Sequence, residues 1–368
     1  LVYLQYTILA WPRMRPTVFH SLVSWPASTQ FTAVLLSVPI LPVLAGLPCQ
    51  VWSIGVALLP HALALCGLVQ SLCSTSWHEV VVDLQDDSSP EKGVVRQLPV
   101  SSQPLHKPAS RDSAYRGRAL RIVQLTDMHL GCFMSVARLQ AICRTIAQDL
   151  KPDLVLVTGD CNTPEADFHP TALAEALQPL KELKGRVFAC LGNHDKETQR
   201  LQDDIVRQLE SVEIKVLVDA DTRVHIAEVG LVHIVGADFS WRHADKAVEA
   251  LCQKCPVPPN AAHSLLLLHN PAAFKFVPAE RGCMVFSGHT HGGQIGLLSL
   301  GLNATVMCLI GSPDHGLWRH GRNRLYAHRG QGFRSLSCNW VLRVGVPNEL
   351  SLVALRPNPG QVNQAERE

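Results

Sequence analysis

Val187-Phe188-Ala189-Cys190-Leu191-Gly192-Asn193-His194-Asp195 is an apolar run that stops abruptly at a polar quartet. Its first five residues suit a buried strand, and the next four suit the loop at that strand's end. The same pairing recurs along the chain: residues 122–125 lead into Asp127-Met128-His129, 154–157 into Gly159-Asp160, 265–268 into His269-Asn270, and 285–286 into Gly288-His289-Thr290-His291-Gly292-Gly293. Polar groups at the ends of successive strands predict open sheets of mainly parallel strands, because loops converge there on a rigid platform where ligands bind.

Helical spacing fills the intervals between these strands. Val136, Leu139, Cys143, Ile146 and Leu150 predict a helix stopped by Pro152, residues 171–183 one closed by Gly185, and 197–210 and 244–254 two more. Residues 216–218, 223–226 and 231–235 read as strands, the last two joined by a turn at Glu228-Val229-Gly230. Upstream, residues 79–84 alternate as a first strand, 94–98 read as a partner pairing back onto it, and 101–117, rich in Ser, Pro, Arg and Lys, read as an exposed loop. The expected class is α/β, with two packed mixed β-sheets flanked by helices. Residues 79–117 form a strand-and-loop linker in this reading, 118–356 the globular domain, and 357–368 a polar tail.

Residues 1–78 have a different character. The chain is 47% hydrophobic and 17% charged, and residues 16–78 contain no Asp, Glu, Lys or Arg. A span needs about 20 apolar residues to cross roughly 30 Å of hydrocarbon, and one central charge would cost about 2.5 to 3.5 kcal/mol on insertion scales. Residues 31–47 and 51–72 are therefore read as a transmembrane helical hairpin, with 1–11 as the tail of a further, truncated span. Pro39, Pro42, Pro48 and Pro60 are tolerated in this setting, since membrane helices find other partners for freed backbone groups. Arg13 and Arg15 fall on the same side of the hairpin as the globular domain, so the positive-inside bias places that domain in the cytosol of a multi-pass protein. The net charge of +2 gives no electrostatic case for nucleic acid. Cys252-x-x-Cys255 lacks a second pair and reads as structural; Asn303-Ala304-Thr305 fits a glycosylation sequon without overturning the topology.

The strand-end groups comprise two carboxylates (Asp127, Asp160), a carboxamide (Asn193) and the imidazoles of His129, His269, His289 and His291. Nitrogen and oxygen donors without thiolate suit Mn, Fe, Zn or Co. Seven groups exceed what one ion that also holds water can take. Two ions sharing a carboxylate would use them all, about 3.5 to 4 Å apart, the spacing used for in-line displacement at phosphorus. Strand-like alternation would turn both ends of Asp127-Met128-His129 and of His289-Thr290-His291 the same way. Asp195 is expected to support a ligand rather than to be one.

As an ordered set, these motifs resemble those of the calcineurin-like metallophosphoesterases, over roughly residues 118–355. The resemblance implies a four-layer sandwich and a metal-dependent phosphoric ester hydrolase, in which a metal-bridging hydroxide attacks a phosphodiester or monoester. It further implies that Asp127, His129, Asp160 and His291 hold one divalent transition metal, that Asp160, Asn193, His269 and His289 hold the second, and that His194 is the catalytic residue left off both. Ala272 and Lys196 depart from the family pattern, which commonly has Asp and an aromatic there. Lys196 could instead meet a substrate phosphate, as could Arg329 and Arg334. Proximity to a bilayer makes a lipid-linked phosphate ester a candidate substrate; no protein partner is readable. The alternative reading is a catalytically silent membrane binding or regulatory protein that keeps the metal-binding fold.

Overall fold

The structure, a computed structural model, describes residues 4, 11, 13–46, 51–73, 77–84, 94–100, 102–104, 118–334 and 341–356. The strands form two seven-stranded mixed sheets. One contains β1 (His78–Asp83), β3 (Ser102–Pro104), β4 (Leu120–Leu125), β5 (Leu154–Thr158), β6 (Val187–Cys190), β7 (Lys215–Val216) and β14 (Ser351–Arg356), in the spatial order β3-β1-β14-β4-β5-β6-β7. The other contains β2 (Arg96–Leu98), β8 (Ala220–Ile226), β9 (Gly230–Gly236), β10 (Ala261–Leu267), β11 (Met284–Ser287), β12 (Gly316–His320) and β13 (Asn323–Ala327), in the order β2-β12-β13-β11-β10-β9-β8. The central strands β4, β5 and β6 run parallel, as do β9, β10, β11 and β13.

Of these, β5, β6 and β11 are buried along their whole length, which is why they read as near-continuous apolar runs. Ile122, Leu156, Phe188, Leu265 and Phe286 fill the space between the sheets. Their neighbours Val123, Val155 and Ala189 face helices on one outer side, and Leu266 and Val285 face the helix on the other. The outer layers include α3 (Val136–Arg144), α4 (Ala172–Leu177), α5 (Gln199–Ser211) and α6 (Ala244–Lys254), so the arrangement is helix, sheet, sheet, helix.

The segment expected to be linker is instead woven into both sheets. β1 pairs parallel with β14 and antiparallel with β3, which lies inside the expected 101–117 loop. β2 does not fold back on β1; it pairs antiparallel with β12 at Trp318. Each strand thereby satisfies its backbone groups on the free edge nearest to it, a choice that local pattern does not encode. The expectations for residues 357–368 and for most of 1–11 fall outside the described residues.

Two helices, α1 (Thr17–Gly46) and α2 (Val51–Leu72), are long and apolar enough to cross a membrane. α1 begins at Thr17 rather than at residue 31. It tolerates its early hydroxyls because they back-bond within the helix, Ser21 Oγ to Thr17 O at 3.0 Å and Ser28 Oγ to Ser24 O at 2.8 Å. Val23, Ser24, Ala27, Ser28 and Thr32 are buried, and this stretch docks on the globular domain. Trp25 Nε1 donates to Cys132 O at 3.4 Å, and Thr32 Oγ1 accepts from Leu342 N at 2.9 Å. Beyond that contact Val34, Val38, Leu41 and Val43 are exposed apolar residues. α2 docks by its C-terminal turns: Ser71 Oγ accepts from Arg343 N at 3.1 Å, and Gln70 Oε1 accepts from Gly345 N at 2.8 Å.

Glu165 lies fully buried at this junction, beside the Cys132 backbone and 3.8 Å from His20 Nε2. Burial raises its carboxyl from 4.5 to about 8 against the opposing charge of Arg15. A raised value means that the folded chain keeps this proton after the unfolded chain has lost it. The contribution is therefore complete below the lower value and lost progressively as pH climbs to the upper one, a change on the order of 5 kcal/mol. Glu165→Gln is expected to flatten the pH dependence of the melting temperature across that window, as measured by thermal unfolding of the full chain in detergent.

Candidate metal centre

The loops that leave β4, β5, β6, β10 and β11 meet at one end of the two sheets. Asp127, His129, Asp160 and His291 form one buried group, and Asp160, His269 and His289 form another, with ligand atoms in each within 4.8 Å of one another. Asp160 is common to both: its Oδ2 lies 3.6 Å from His129 Nε2 and 3.3 Å from His269 Nε2. Asn193 joins the second group, its Oδ1 3.3 Å from His269 Nε2. All seven residues named from the sequence are thus brought together.

The local backbone differs from the expected strand alternation. Asp127, His129, Asp160, His289 and His291 have φ of 49°, 44°, 57°, 71° and 52°, in the left-handed region that non-glycine residues avoid. Each such position costs about 1 to 3 kcal/mol and persists where its surroundings over-determine it. Here they do. The Asp127 carboxylate accepts from the His289 backbone N–H at 2.9 Å, and Asp160 Oδ1 accepts from His194 N at 2.9 Å. The buried Asp195 carboxylate accepts from the backbone N–H groups of Asp160, Cys161 and Gly192, each at 2.8 Å, and so clamps two loops together. A Cβ at Gly192 would lie 2.1 Å from Asp160 Oδ1, and one at Gly288 would lie 2.1 Å from Asp127 Oδ2, so glycine is required at both by close approach.

The donor set fits a cation. His269 Nδ1 donates to Thr158 O at 2.6 Å and His129 Nδ1 to Asn162 O at 3.2 Å, which aims each Nε2 inward. His129 Nε2 faces His291 Nε2 at 3.1 Å, and His269 Nε2 faces the oxygens of Asp160 and Asn193. Acceptors opposed at such distances repel unless a positive charge stands between them. Without one, a proton does this work at His269: burial lowers its imidazole, but the charge and hydrogen bond of Asp160 outweigh it and raise it to about 9. Burial, then the His269 charge, holds His289 down to about 4, and burial holds His129 well below its ordinary value. Burial would raise both carboxyls, yet the neighbouring imidazoles reverse this, His291 first at Asp127 and His269 first at Asp160. Near neutrality the centre therefore offers ionised carboxylates at Asp127 and Asp160, with His129 and His289 held neutral.

The three candidate phosphate-facing cations are engaged elsewhere. Lys196 Nζ lies 2.5 Å from Asp238 Oδ2 and 3.2 Å from Phe239 O, pinning the loop after β9. Arg329 pairs with Glu349 at 3.1 Å, and Arg334 with Glu197 at 2.8 Å. That pinned loop supplies what the sequence reading missed. Phe239 and Trp241 stack edgewise, with Phe239 5.8 Å from the His269 ring and Trp241 5.5 Å from His289; a position just past a strand end was the available signal. Arg343 was also missed. It is fully buried and donates to His291 O at 2.9 Å and to Gly332 O at 2.6 Å, while burial lowers it to about 9.

Gly192→Ala is expected to displace the Asp160 carboxylate and lower the metal content of purified protein by roughly tenfold with the far-ultraviolet circular dichroism unchanged. Elemental analysis after dialysis against the metal measures this.

A model of the calcineurin-like phosphoesterase family matches residues 120–293. Among curated relatives, the chain is 28% identical over 223 residues to phosphodiesterase YaeI of Escherichia coli, covering 58% of this chain and 75% of that one. It is 26% identical over 289 residues to the transmembrane protein with metallophosphoesterase domain of Danio rerio, covering 75% of this chain and 60% of the relative. It is 28% identical over 227 residues to UDP-2,3-diacylglucosamine pyrophosphatase LpxG of Chlamydia muridarum, covering 48% of this chain and 65% of the relative. Residues 120–293 are therefore a calcineurin-like phosphoesterase domain.

Proposed function

We propose that this domain hydrolyses a phosphate ester with two divalent cations, one held by Asp127, His129, Asp160 and His291 and the other by Asp160, Asn193, His269 and His289. The observation that carries the reading is the position of Asp160 Oδ2 between His129 Nε2 and His269 Nε2, which makes one carboxylate common to both groups. Such a cation pair, when bound, supplies Lewis acidity and an acidified water for in-line displacement.

His194 is the motif imidazole outside both groups. Its ring lies 5.5 Å from that of His129, and its side chain is 28% exposed, open to an incoming ester. Nδ1 is 2.6 Å from Glu197 Oε1, and Glu197 is held in turn by Arg334. The hydrogen bond from His194, aided by the Arg334 charge, keeps the Glu197 carboxyl below its usual range. An ionised Glu197 fixes the proton on Nδ1, so Nε2 exchanges the second proton with the leaving oxygen or stabilises charge on the phosphoryl group. Phe239 and Trp241 form an aromatic wall beside His269 and His289, against which the organic part of an ester can pack.

The apolar helices and the name of the Danio rerio relative support membrane association. In this reading both helices span, with the phosphoesterase domain on the cytosolic side. The name of the LpxG relative adds a lipid-bearing phosphate to the candidate substrates.

His194→Ala is expected to lower kcat on bis(4-nitrophenyl) phosphate with Mn by about 10² to 10⁴ while metal content stays intact. Asp160→Asn should lose metal and activity together. Steady-state rates and elemental analysis of each variant decide the matter: turnover equal to that of the unaltered protein in both would overturn the assignment, and no turnover by the unaltered, metal-loaded protein would favour a silent regulatory protein.

A further inference from the structure

Between His291 and Asp314 the sequence contains no Asp, Glu, Lys or Arg. Such a stretch is unusual on the outside of a globular domain, and here it is on the outside. Leu297, Leu300, Leu302, Val306, Leu309 and Ile310 are 45%, 73%, 54%, 42%, 87% and 69% exposed. The stretch is well tied down at its base: Ile295 O accepts from Val306 N at 3.0 Å, and Leu297 N donates to Ala304 O at 2.8 Å. Short 3-10 turns at Leu298–Leu300 and Val306–Ile310 carry the apolar side chains outward.

Two contacts fix where this apolar flap sits. Ser299 Oγ accepts from Gln70 Nε2 at 2.8 Å, and Gln70 stands two residues before the end of α2, where that apolar helix returns to the globular domain. Gly345 links the same two elements, its N–H donating to Gln70 Oε1 at 2.8 Å while its carbonyl accepts from Ser299 N at 2.9 Å. On its inner side the flap reaches the metal centre. Met307 packs on Gly293, two residues from His291, so closely that a Cβ at Gly293 would lie 2.9 Å from Met307 Cγ.

We propose that residues 294–313 form a bilayer-inserting flap whose occupant is the membrane that α1 and α2 cross. The apolar surface continues that of α2 at the level where a span leaves hydrocarbon, and it lacks the charges that would hold it in water. Immersion by about 5 to 10 Å, the depth of interfacial elements, would bury the tips at Leu309 and Leu300 and leave Asn303, hydrogen-bonded to Gln97 at 2.7 Å, near the surface. The metal centre then opens beside the headgroup layer. Resting on the phosphoesterase reading, its substrate is a phosphate ester whose organic part is a membrane lipid.

Leu309→Trp and, separately, Leu300→Trp in the full chain test the insertion. Each is reconstituted in phosphatidylcholine vesicles with and without acyl-chain-brominated lipid, and the emission of the unaltered protein is subtracted. The added emission is expected to be blue-shifted and quenched by the brominated lipid at both positions. Red-shifted, unquenched emission would overturn the proposal, and blue-shifted but unquenched emission would overturn it in favour of a protein partner or a second copy. For the substrate, the Leu309→Asp, Ile310→Asp double variant is expected to hydrolyse phosphatidic acid in vesicles roughly tenfold more slowly while turning over bis(4-nitrophenyl) phosphate at the unaltered rate. Equal rates on both substrates would overturn the lipid assignment. Absence of turnover on the soluble ester by the unaltered protein would instead sink the phosphoesterase reading and the substrate class that rests on it, with the quenching result still deciding the insertion.

Discussion

Asp127 and Asp160 are ionised carboxylates with almost no exposure to water, and inward-facing imidazole nitrogens surround them. A cluster of acceptors in a low-dielectric interior is costly unless a positive charge is shared among them. Much of the structure around the centre serves to keep that cluster from relaxing. Left-handed backbone at five positions of the cluster, the Asp195 clamp and the glycines at 192 and 288 each remove a way for the side chains to turn aside. Two sheets packed face to face supply the stiffness, because the strands that launch the loops are buried on both sides and cannot slide without moving apolar residues into the wrong layer.

Those same strands explain what the sequence made legible. Residues buried on both faces leave an uninterrupted apolar signal, and the abrupt change to Gly, Asp, Asn and His marks the strand end, so β4, β5, β6, β10 and β11 and the polar groups that follow them could be read together. The helices at 136–150 and 244–254 were equally plain from their spacing. Other features depend on partners far away in the chain. Nothing within residues 94–98 says that β2 pairs with β12, and nothing local to Arg343 says that its guanidinium supports the His291 carbonyl. Phe239 and Trp241 sit beside the centre because Lys196 and Asp238 join loops from different sheets. The i, i+2 spacing of Asp127 and His129 suggested convergence through strand alternation, whereas the two side chains converge through left-handed backbone, with Met128 buried between them.

His194 and Asp195 are adjacent in sequence and divide two tasks. Asp195 points inward and binds three backbone N–H groups, while His194 points outward to Glu197. A 3-10 turn over His194–Lys196 separates them, and Lys196 extends the same turn to the loop bearing Phe239. One short segment thus sets the shared carboxylate, the free imidazole and the aromatic wall in fixed relation.

The docking of α1 and α2 has a practical consequence. Leu342 N and Arg343 N give their hydrogen bonds to Thr32 and Ser71, and Arg343 goes on to hold the carbonyl of His291. A soluble truncation that removes the two helices would strand those donors, uncover Phe133 and Phe333, and loosen the one arginine that braces the His291 loop. The two helices are a wall of the core, and severing them would alter the very centre a biochemist would be trying to isolate.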